Sequence, residues 1–277
     1  MRIGPVPIGS GAPLALITGL NVLEDEREAL AMASALAALA ERHGFPMVFK
    51  ASFDKANRTR LESYRGPGVD EGARMLRAVK RETGLPLMTD VHEPVQAKQL
   101  AEVVDCLQVP SFLTRQTDLI VACAATGLPI NIKKGQFLAP RDLRYVIGKA
   151  ESAGGGGVLL TERCTTFGYN DLVVDMRGLP QMRRFAPVCF DATHAVQYPS
   201  SGDGWSGGDR RFVPPLARAA VAAGIDALFV EVHPEPEQAP CDGPCQIDFK
   251  TFDALLGQVR AIDTALREVP NPQSPRP

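Results

Sequence analysis

The 277-residue chain carries a formal net charge of only −2 and no apolar run near the roughly 20 residues that a membrane-spanning helix requires. A near-neutral balance, with no basic face and no aromatic platform, removes the electrostatic case for nucleic acid or an anionic membrane. The opening MRIGPVPIGSGAP is broken by glycine and proline and lacks a signal peptide's apolar stretch, so the expected location is the cytoplasm. None of the six cysteines forms a CxxC pair, which argues against structural zinc or a redox pair. In a reducing compartment they should stay free. Cys106, Cys123 and Cys189 sit in apolar segments and read as small core residues. No glycine-rich fingerprint follows the first strand, which weighs against an open doubly wound sheet. The glycines at 154–157 precede a strand and read as a turn.

What the chain does have is a repeated plan: an Ala/Leu-rich helix, a glycine stop, then a short apolar run ending in polar residues. From Glu26 to His43 the apolar residues recur at helical spacing, Leu36, Leu39 and Ala40 among them. Asp25 with Glu28 predicts a capping box, and Gly44 a stop. Pro94 and Pro140 suit first helical positions. Read this way, eight strands emerge, at 14–18, 47–51, 87–90, 106–109, 130–133, 158–162, 188–191 and 228–231. Near-continuous apolar strands alternating with helices require a parallel sheet covered on both faces. Eight such units predict an α/β chain folded as one (β/α)8 TIM barrel, a single domain over 1–277. The segment MRIGPVPIG is expected to form a short β-hairpin closing the barrel floor, and the proline-rich end, about 269–277, to fray.

The strand endings carry the chemistry. They read Asn21; Lys50 and Lys55; Asp90 and His92; Gln108; Lys133 and Lys134; Arg163; Asp191 and His194; Glu231 and His233. In a barrel all of these gather at the C-terminal face, where barrel active sites lie. Strand ends meet solvent, so one or two charges there would mean little. Cations on successive units instead predict an anion trap. Adjacent residues alternate across a strand, so only one of Lys133 and Lys134 faces inward, and Lys133 is the choice. Three loops stand out. FKASFDKANRT supplies Arg for bidentate phosphate contact, with Asn and Thr for hydroxyls or phosphate. HAVQYPSSGDGWSGGDRR is long and glycine-rich, which suits a lid. HPEPEQAPCDGPC demands a defined turn.

In order along the chain, FKASFDKANR, SYRGPG, TDVHEP, RQTDL, INIKKGQF, FGYNDLVVD, DATHAVQ, SGG and EVHPEPEQAPCDGP resemble the 3-deoxy-D-manno-octulosonate 8-phosphate (KDO 8-phosphate) synthase family. The related 3-deoxy-arabino-heptulosonate 7-phosphate synthases share barrel and chemistry, but KANR and CDGP are closer to the octulosonate enzymes. The resemblance implies a homotetrameric barrel that condenses phosphoenolpyruvate with D-arabinose 5-phosphate and water, releases phosphate and feeds lipopolysaccharide core synthesis. It implies that Lys133 and Arg163 hold the phosphoenolpyruvate phosphate, assisted near Ser111. Lys50, Lys55 and Gln108 would hold its carboxylate region. Asn57, Arg58 and Thr59 would hold arabinose 5-phosphate, and Arg115 would reach the sugar phosphate in a neighbouring subunit.

The chemistry asks for such residues independently. Enol C3 attacks the sugar aldehyde, water adds at C2, and phosphate leaves by C–O cleavage. Two phosphates and a carboxylate must come close together, and cations offset their repulsion. Lys55, His194, Asp242 and the departing phosphate are open alternatives for proton transfer. Some family members hold a metal with Cys, His, Glu and Asp; the counterparts here are Asn21, His194, Glu231 and Asp242. A neutral amide is a poor ligand where a thiolate binds zinc or iron strongly. The chain is therefore expected to be metal-independent, with no cofactor, Asn21 and Glu231 completing the catalytic set. Thr59 stands where Ser is usual. Cys164 follows Arg163 where Gly is usual; its Cβ would shift the Arg or require backbone adjustment, and an exposed thiol is one option there. Two rivals remain: an aldolase with Lys133 as Schiff-base lysine, and a non-catalytic phosphosugar-binding protein.

Overall fold

The strands and helices alternate along almost the whole chain. A computed structural model describes residues 1–9, 11–169, 171–201 and 206–268. Its eight barrel strands are β1 (Ala15–Val22), β2 (Met47–Ser52), β3 (Leu87–Asp90), β4 (Cys106–Val109), β5 (Ile130–Lys133), β6 (Val158–Glu162), β7 (Val188–Asp191) and β8 (Ala227–Glu231). Each pairs in parallel with its sequence neighbours, and β8 closes on β1. All their residues are buried, as strands covered on both faces must be. Helices α1 (Glu26–Arg42), α2 (Val69–Thr83), α3 (Pro94–Ala101), α4 (Thr117–Ala124), α5 (Leu143–Ser152), α6 (Gly178–Met182), α7 (Val213–Ala223) and α8 (Phe249–Glu268) follow the strands. The expected tail at 269–277 and the centre of the expected lid, 202–205, lie outside the described residues. The lid's base is a two-rung pairing of Gln197–Tyr198 with Gly207–Gly208. Among the described residues no helix is long and apolar enough to cross a membrane.

Local sequence accounts for the frame. In α1, Ala29, Met32, Ala33, Leu36 and Ala40 form the buried stripe against the sheet. The Asp25 carboxylate accepts the Glu28 N–H at 2.8 Å, and Gly44 leaves the helix at φ 71°. The Glu28 side chain does not complete a capping box; it faces His233 instead, 3.7 Å away. At the N-terminal end, Arg2–Ile3 pairs antiparallel with Val6–Pro7. Ile3, Val6 and Ile8 from this hairpin pack with Ala15, Ile17, Val48, Met88, Cys106, Leu159, Cys189, Ala227 and Phe229 inside the barrel. The hairpin is thus a plug for the barrel floor, as expected.

One boundary differs from the sequence expectation. β1 runs to Val22, four residues beyond Thr18. Gly19 suggests a break, yet it continues the ladder opposite Lys50, where a Cβ would come 2.0 Å from the Lys50 carbonyl oxygen. The register then shifts between Leu20 and Val22, a bulge that leaves Asn21 as the extra residue. Bulges of this kind re-aim a side chain, and here the side chain is that of Asn21.

Candidate active site

Side chains two residues apart on a strand share a face. Stepping up from the apolar floor, Val48 is followed by Lys50, Met88 by Asp90, Cys106 by Gln108, Cys189 by Asp191 and Phe229 by Glu231. The interior therefore turns from apolar to polar within one step on five strands, and to charged on four of them. Phe229 lies at the change: the Lys133 Nζ stands 4.1 Å from its ring centroid and the Lys50 Nζ 5.6 Å.

At the centre of the mouth, the Asn21 Nδ2 donates to Glu231 Oε2 at 2.6 Å and to Asp242 Oδ2 at 3.2 Å. The His194 Nδ1 bonds Asp191 Oδ2 at 2.8 Å, and its Nε2 stands 3.6 Å from Glu231 Oε2 and 3.8 Å from Asp242 Oδ2. A carboxylate accepts only, so Nδ1 carries the proton, and Nε2 is the atom free to exchange one at the mouth. Asp242 sits at φ 52°, a left-handed conformation that Asp tolerates. The next residue must be Gly243, because a Cβ there would meet the Pro236 carbonyl at 2.4 Å. This is the defined turn expected of CDGP.

The cations surround these acids. Lys50 donates to Ser52 Oγ at 2.7 Å and to Glu231 Oε1 at 3.3 Å, and lies 3.8 Å from Asp90. Lys133 donates to Asp191 Oδ2 at 2.5 Å. Arg163 reaches Ser111 Oγ at 3.3 Å, the His194 carbonyl at 3.0 Å and Gln197 Oε1 at 2.8 Å, while its buried Nε has no partner among the described residues. A buried donor without a partner calls for an explanation, and a bound anion would supply one. Gln108 is oriented by a relay: the Thr161 hydroxyl donates to Asn131 Oδ1 at 2.6 Å, and Asn131 Nδ2 to Gln108 Oε1 at 3.0 Å. The relay leaves the Gln108 amide hydrogens for the cavity.

Burial and charge compete at every group here. Burial would raise the Asp191 carboxyl, but His194 and Lys133 outweigh it and hold it well below the usual range. Glu231, Asp90 and Asp242 are likewise lowered against their burial: Glu231 by His194 and Lys50, Asp90 by Lys50, Asp242 by His194 and Lys55. Burial and then Lys55 pull the Lys50 ammonium down. Lys55 is pushed up despite burial, chiefly by Glu231 and Asp90.

Two adjoining cavities open at this face. The inner one, about 180 Å³, is lined by Lys50, Lys55, Gln108, Ser111, Lys133, Arg163 and His194. The outer one, about 670 Å³, is lined by Asn57, Arg58, Thr59, Arg210 and Arg211. Asn57, Gln197 and Asp242 belong to both. Arg58 donates to the Cys241 sulfur and to the Pro240 carbonyl. Of the residues expected from sequence, all but Arg115 are brought together at the mouth. Arg115 is exposed and lines neither cavity. Gln197 was missed: its Nε2 donates to Asp242 Oδ1 at 2.7 Å while its Oε1 accepts from Arg163. Its place three residues after His194 was the available signal. The exposed-thiol option for Cys164 is overturned: the side chain is fully buried, and burial pushes its thiol up to about 11.

At the mouth the ligand-type side chains are His194, Glu231 and Asp242, with Asn21 beside them. Asn21 turns two N–H bonds toward the carboxylates, where a cation would need lone pairs. Among the described residues, the group of His, Cys and acidic side chains whose ligating atoms all lie within 4.8 Å is Glu24, Glu28 and His233. There the His233 Nδ1 accepts the Glu235 N–H at 3.0 Å. A neutral ring then carries its proton on Nε2, which points that N–H at both glutamates, 3.7 Å away, and offers no lone pair.

A closed β/α barrel with acids, a tautomerically fixed histidine and four lysine or arginine cations around the inner cavity of its C-terminal mouth defines a barrel enzyme for small anionic molecules. The chain belongs to the DAHP synthetase I family, whose model matches residues 2–268. It is 54% identical over 260 residues to the 2-dehydro-3-deoxyphosphooctonate aldolase of Cyanothece sp., covering 94% of this chain and 95% of that one. It is 52% identical over 266 residues to the protein of the same name from Pelobacter propionicus (96% and 98% covered), and 46% over 272 residues to that from Hahella chejuensis (98% and 97% covered).

Proposed function

We propose that this enzyme condenses phosphoenolpyruvate with D-arabinose 5-phosphate and water, giving 3-deoxy-D-manno-octulosonate 8-phosphate and phosphate, without a metal, in the cytoplasm and in service of lipopolysaccharide core synthesis. The observation that carries the reading is the pair of adjoining cavities, each with its own cations, sharing Asn57, Gln197 and Asp242. Two phosphorylated substrates must meet at one bond, and this is a place for each with a common wall. In the inner cavity Arg163, through its unpartnered Nε, and Lys133 take the phosphoenolpyruvate phosphate beside Ser111. Lys50, Lys55 and the Gln108 amide take its carboxylate. In the outer cavity Asn57, Arg58 and Thr59 take the sugar phosphate and hydroxyl.

His194 Nε2, Asp242 and Lys55 are the groups placed to move protons as C3 attacks the aldehyde and water adds at C2. Asp191 keeps His194 in the tautomer that this requires. The Asn21 amide, which bridges Glu231 and Asp242 with its N–H bonds and offers them no thiolate, supports metal independence. A homotetramer is part of the same reading. Phe137, Phe167 and Val173 line a shallow apolar cavity of about 530 Å³, and Phe112, beside Ser111, is half exposed. A second copy covering this face would bury them and carry Arg115 to its neighbour's sugar phosphate.

The deciding experiment is phosphate release from phosphoenolpyruvate with arabinose 5-phosphate, against erythrose 4-phosphate, with and without exhaustive chelation. Release is expected to require arabinose 5-phosphate and to survive chelation. Equal or faster release with erythrose 4-phosphate would overturn the substrate. Release without any sugar would overturn the condensation. Activity lost to the chelator and restored by a divalent metal would overturn metal independence.

A further inference from the structure

The second lysine of the INIKKGQF segment plays no part in the reaction described above, yet it is completely buried. Strand alternation turns Lys134 away from the inner cavity that Lys133 enters. Its Nζ donates to the carbonyls of Cys164 (2.9 Å), Gly135 (3.3 Å) and Leu138 (3.4 Å) and to the Thr165 hydroxyl (3.3 Å), with Glu162 Oε1 at 3.5 Å. Glu162 Oε1 in turn accepts the Cys164 N–H at 2.5 Å. Both peptide units flanking Cys164 are therefore held, one by the carboxylate and one by the ammonium. Cys164 has φ 102°, a conformation that a side chain with a Cβ resists and glycine adopts freely. The residue just before this turn is Arg163.

We infer that Lys134, paired with Glu162, is a positioning residue that clamps the Cys164 turn in its unfavourable conformation and thereby aims the Arg163 guanidinium into the inner cavity. A buried ion pair is weak evidence of stabilisation, because desolvation offsets much of its attraction. Fixing one backbone geometry is a use that fits every bond this pair makes. It also accounts for how the chain tolerates cysteine at this position: the clamp supplies what glycine would supply by itself. The inference rests on the reading of Arg163 as a phosphoenolpyruvate ligand.

The test is phosphoenolpyruvate affinity by calorimetry without sugar, together with both KM values and the melting temperature. Lys134→Met should weaken phosphoenolpyruvate binding about tenfold and leave the KM for arabinose 5-phosphate within about twofold. Adding Cys164→Gly to Lys134→Met should recover at least about threefold of the lost affinity, because glycine adopts the turn without a Cβ penalty. A merely structural lysine would lower the melting temperature with no selective loss and no recovery, and that result overturns the inference. Should Lys134→Met fail to fold, Glu162→Gln carries the test. It keeps an acceptor for the Cys164 N–H but removes the charge, and should weaken phosphoenolpyruvate binding about two- to fivefold. Unchanged affinity in Glu162→Gln overturns the clamp. If Arg163→Ala leaves affinity unchanged, the ligand assignment itself fails. If Arg163→Ala weakens binding and Lys134→Met does not, the clamp alone is wrong.

Discussion

The two ends of the barrel are built from the same eight strands, one alternation apart, and they solve opposite problems. The floor's interior, with Ile17, Val48, Met88, Cys106 and Leu159 under the N-terminal hairpin, is an apolar cluster, and the charges near that end, such as Asp226 with Arg183 and the Met1 ammonium on the Ile8 carbonyl, lie at its edge. Its stability comes from apolar area removed from water and from close packing. The mouth buries Lys50, Lys133, Asp191 and Glu231 almost completely. Such charges are costly unless each is paired, and here each is. The mouth is thus a buried polar network whose desolvation is offset by the apolar packing of the floor. Changes at the mouth should reach the reaction first, and changes at the floor should reach stability first.

The largest expected effect tests the mouth. Arg163→Ala removes the cation with an unpartnered Nε at the inner cavity. It should cost about 2–5 kcal/mol in transition-state stabilisation, roughly 30-fold to several-thousand-fold in kcat/KM. The melting temperature should change little, because the guanidinium's protein partners are uncharged: Ser111, the His194 carbonyl and Gln197. A variant within about threefold of the parent kcat/KM would remove Arg163 from its role.

The mirror experiment is Ile17→Ala, in the middle of the floor. Deleting a fully buried isoleucine to alanine should cost about 2–5 kcal/mol of stability through lost transfer energy and the cavity left behind. Denaturant titration measures it. Well below the melting temperature kcat/KM should stay within a few fold. A folded Ile17→Ala protein without activity would break the division between the two ends.

A third change sharpens what the mouth is for. Asn21→Cys places a thiolate at the bulge beside His194, Glu231 and Asp242. Thiolate, imidazole and carboxylates make a set that zinc or iron binds well, whereas the amide does not. The variant is expected to bind about one equivalent of zinc by calorimetry, with the parent protein binding none at these residues. Zinc affinity unchanged between the two would mean that Asn21 is not what keeps a metal out.

Much of this contrast was legible beforehand. Seven of the eight strands begin and end within a residue of the sequence reading, because apolar runs bounded by Gly, Pro and polar residues report burial directly. β1 was cut short at Thr18, since Gly19 reads as punctuation until the Lys50 carbonyl beside it is known. The residue types at the mouth were legible for the same reason: Lys, His, Glu and Asp ending apolar strands have few other uses. Their pairings were not. Asn21 meets Glu231 and Asp242 across more than 200 residues of chain, and Gln197 joins Arg163 to Asp242 from a loop. Nothing local to either sequence segment encodes those meetings. The burial of Cys164 was hidden likewise, because its backbone meets Lys134 from another strand.

The smallest effect comes from titrating the mouth without touching the floor. Asp90, Asp191, Glu231 and Asp242 all have folded-state values below their ordinary ones. A carboxyl lowered on folding contributes stability that is fully present above its unfolded value and is lost as pH falls toward the folded one. Unfolded Asp and Glu titrate near about 3.9 and 4.3, so above about pH 5 these groups make stability flat, and below about pH 4 the unfolded chain takes up protons first. The lowered surface acids, such as Glu71 and Asp175, are exposed pairs that contribute little. Asp191→Asn therefore tests the source of acid sensitivity. It should lower the melting temperature at neutral pH, by loosening Lys133 and His194, and yet make the decline below about pH 4 shallower than in the parent protein. Equal steepness in the two would place the acid-labile groups outside the mouth.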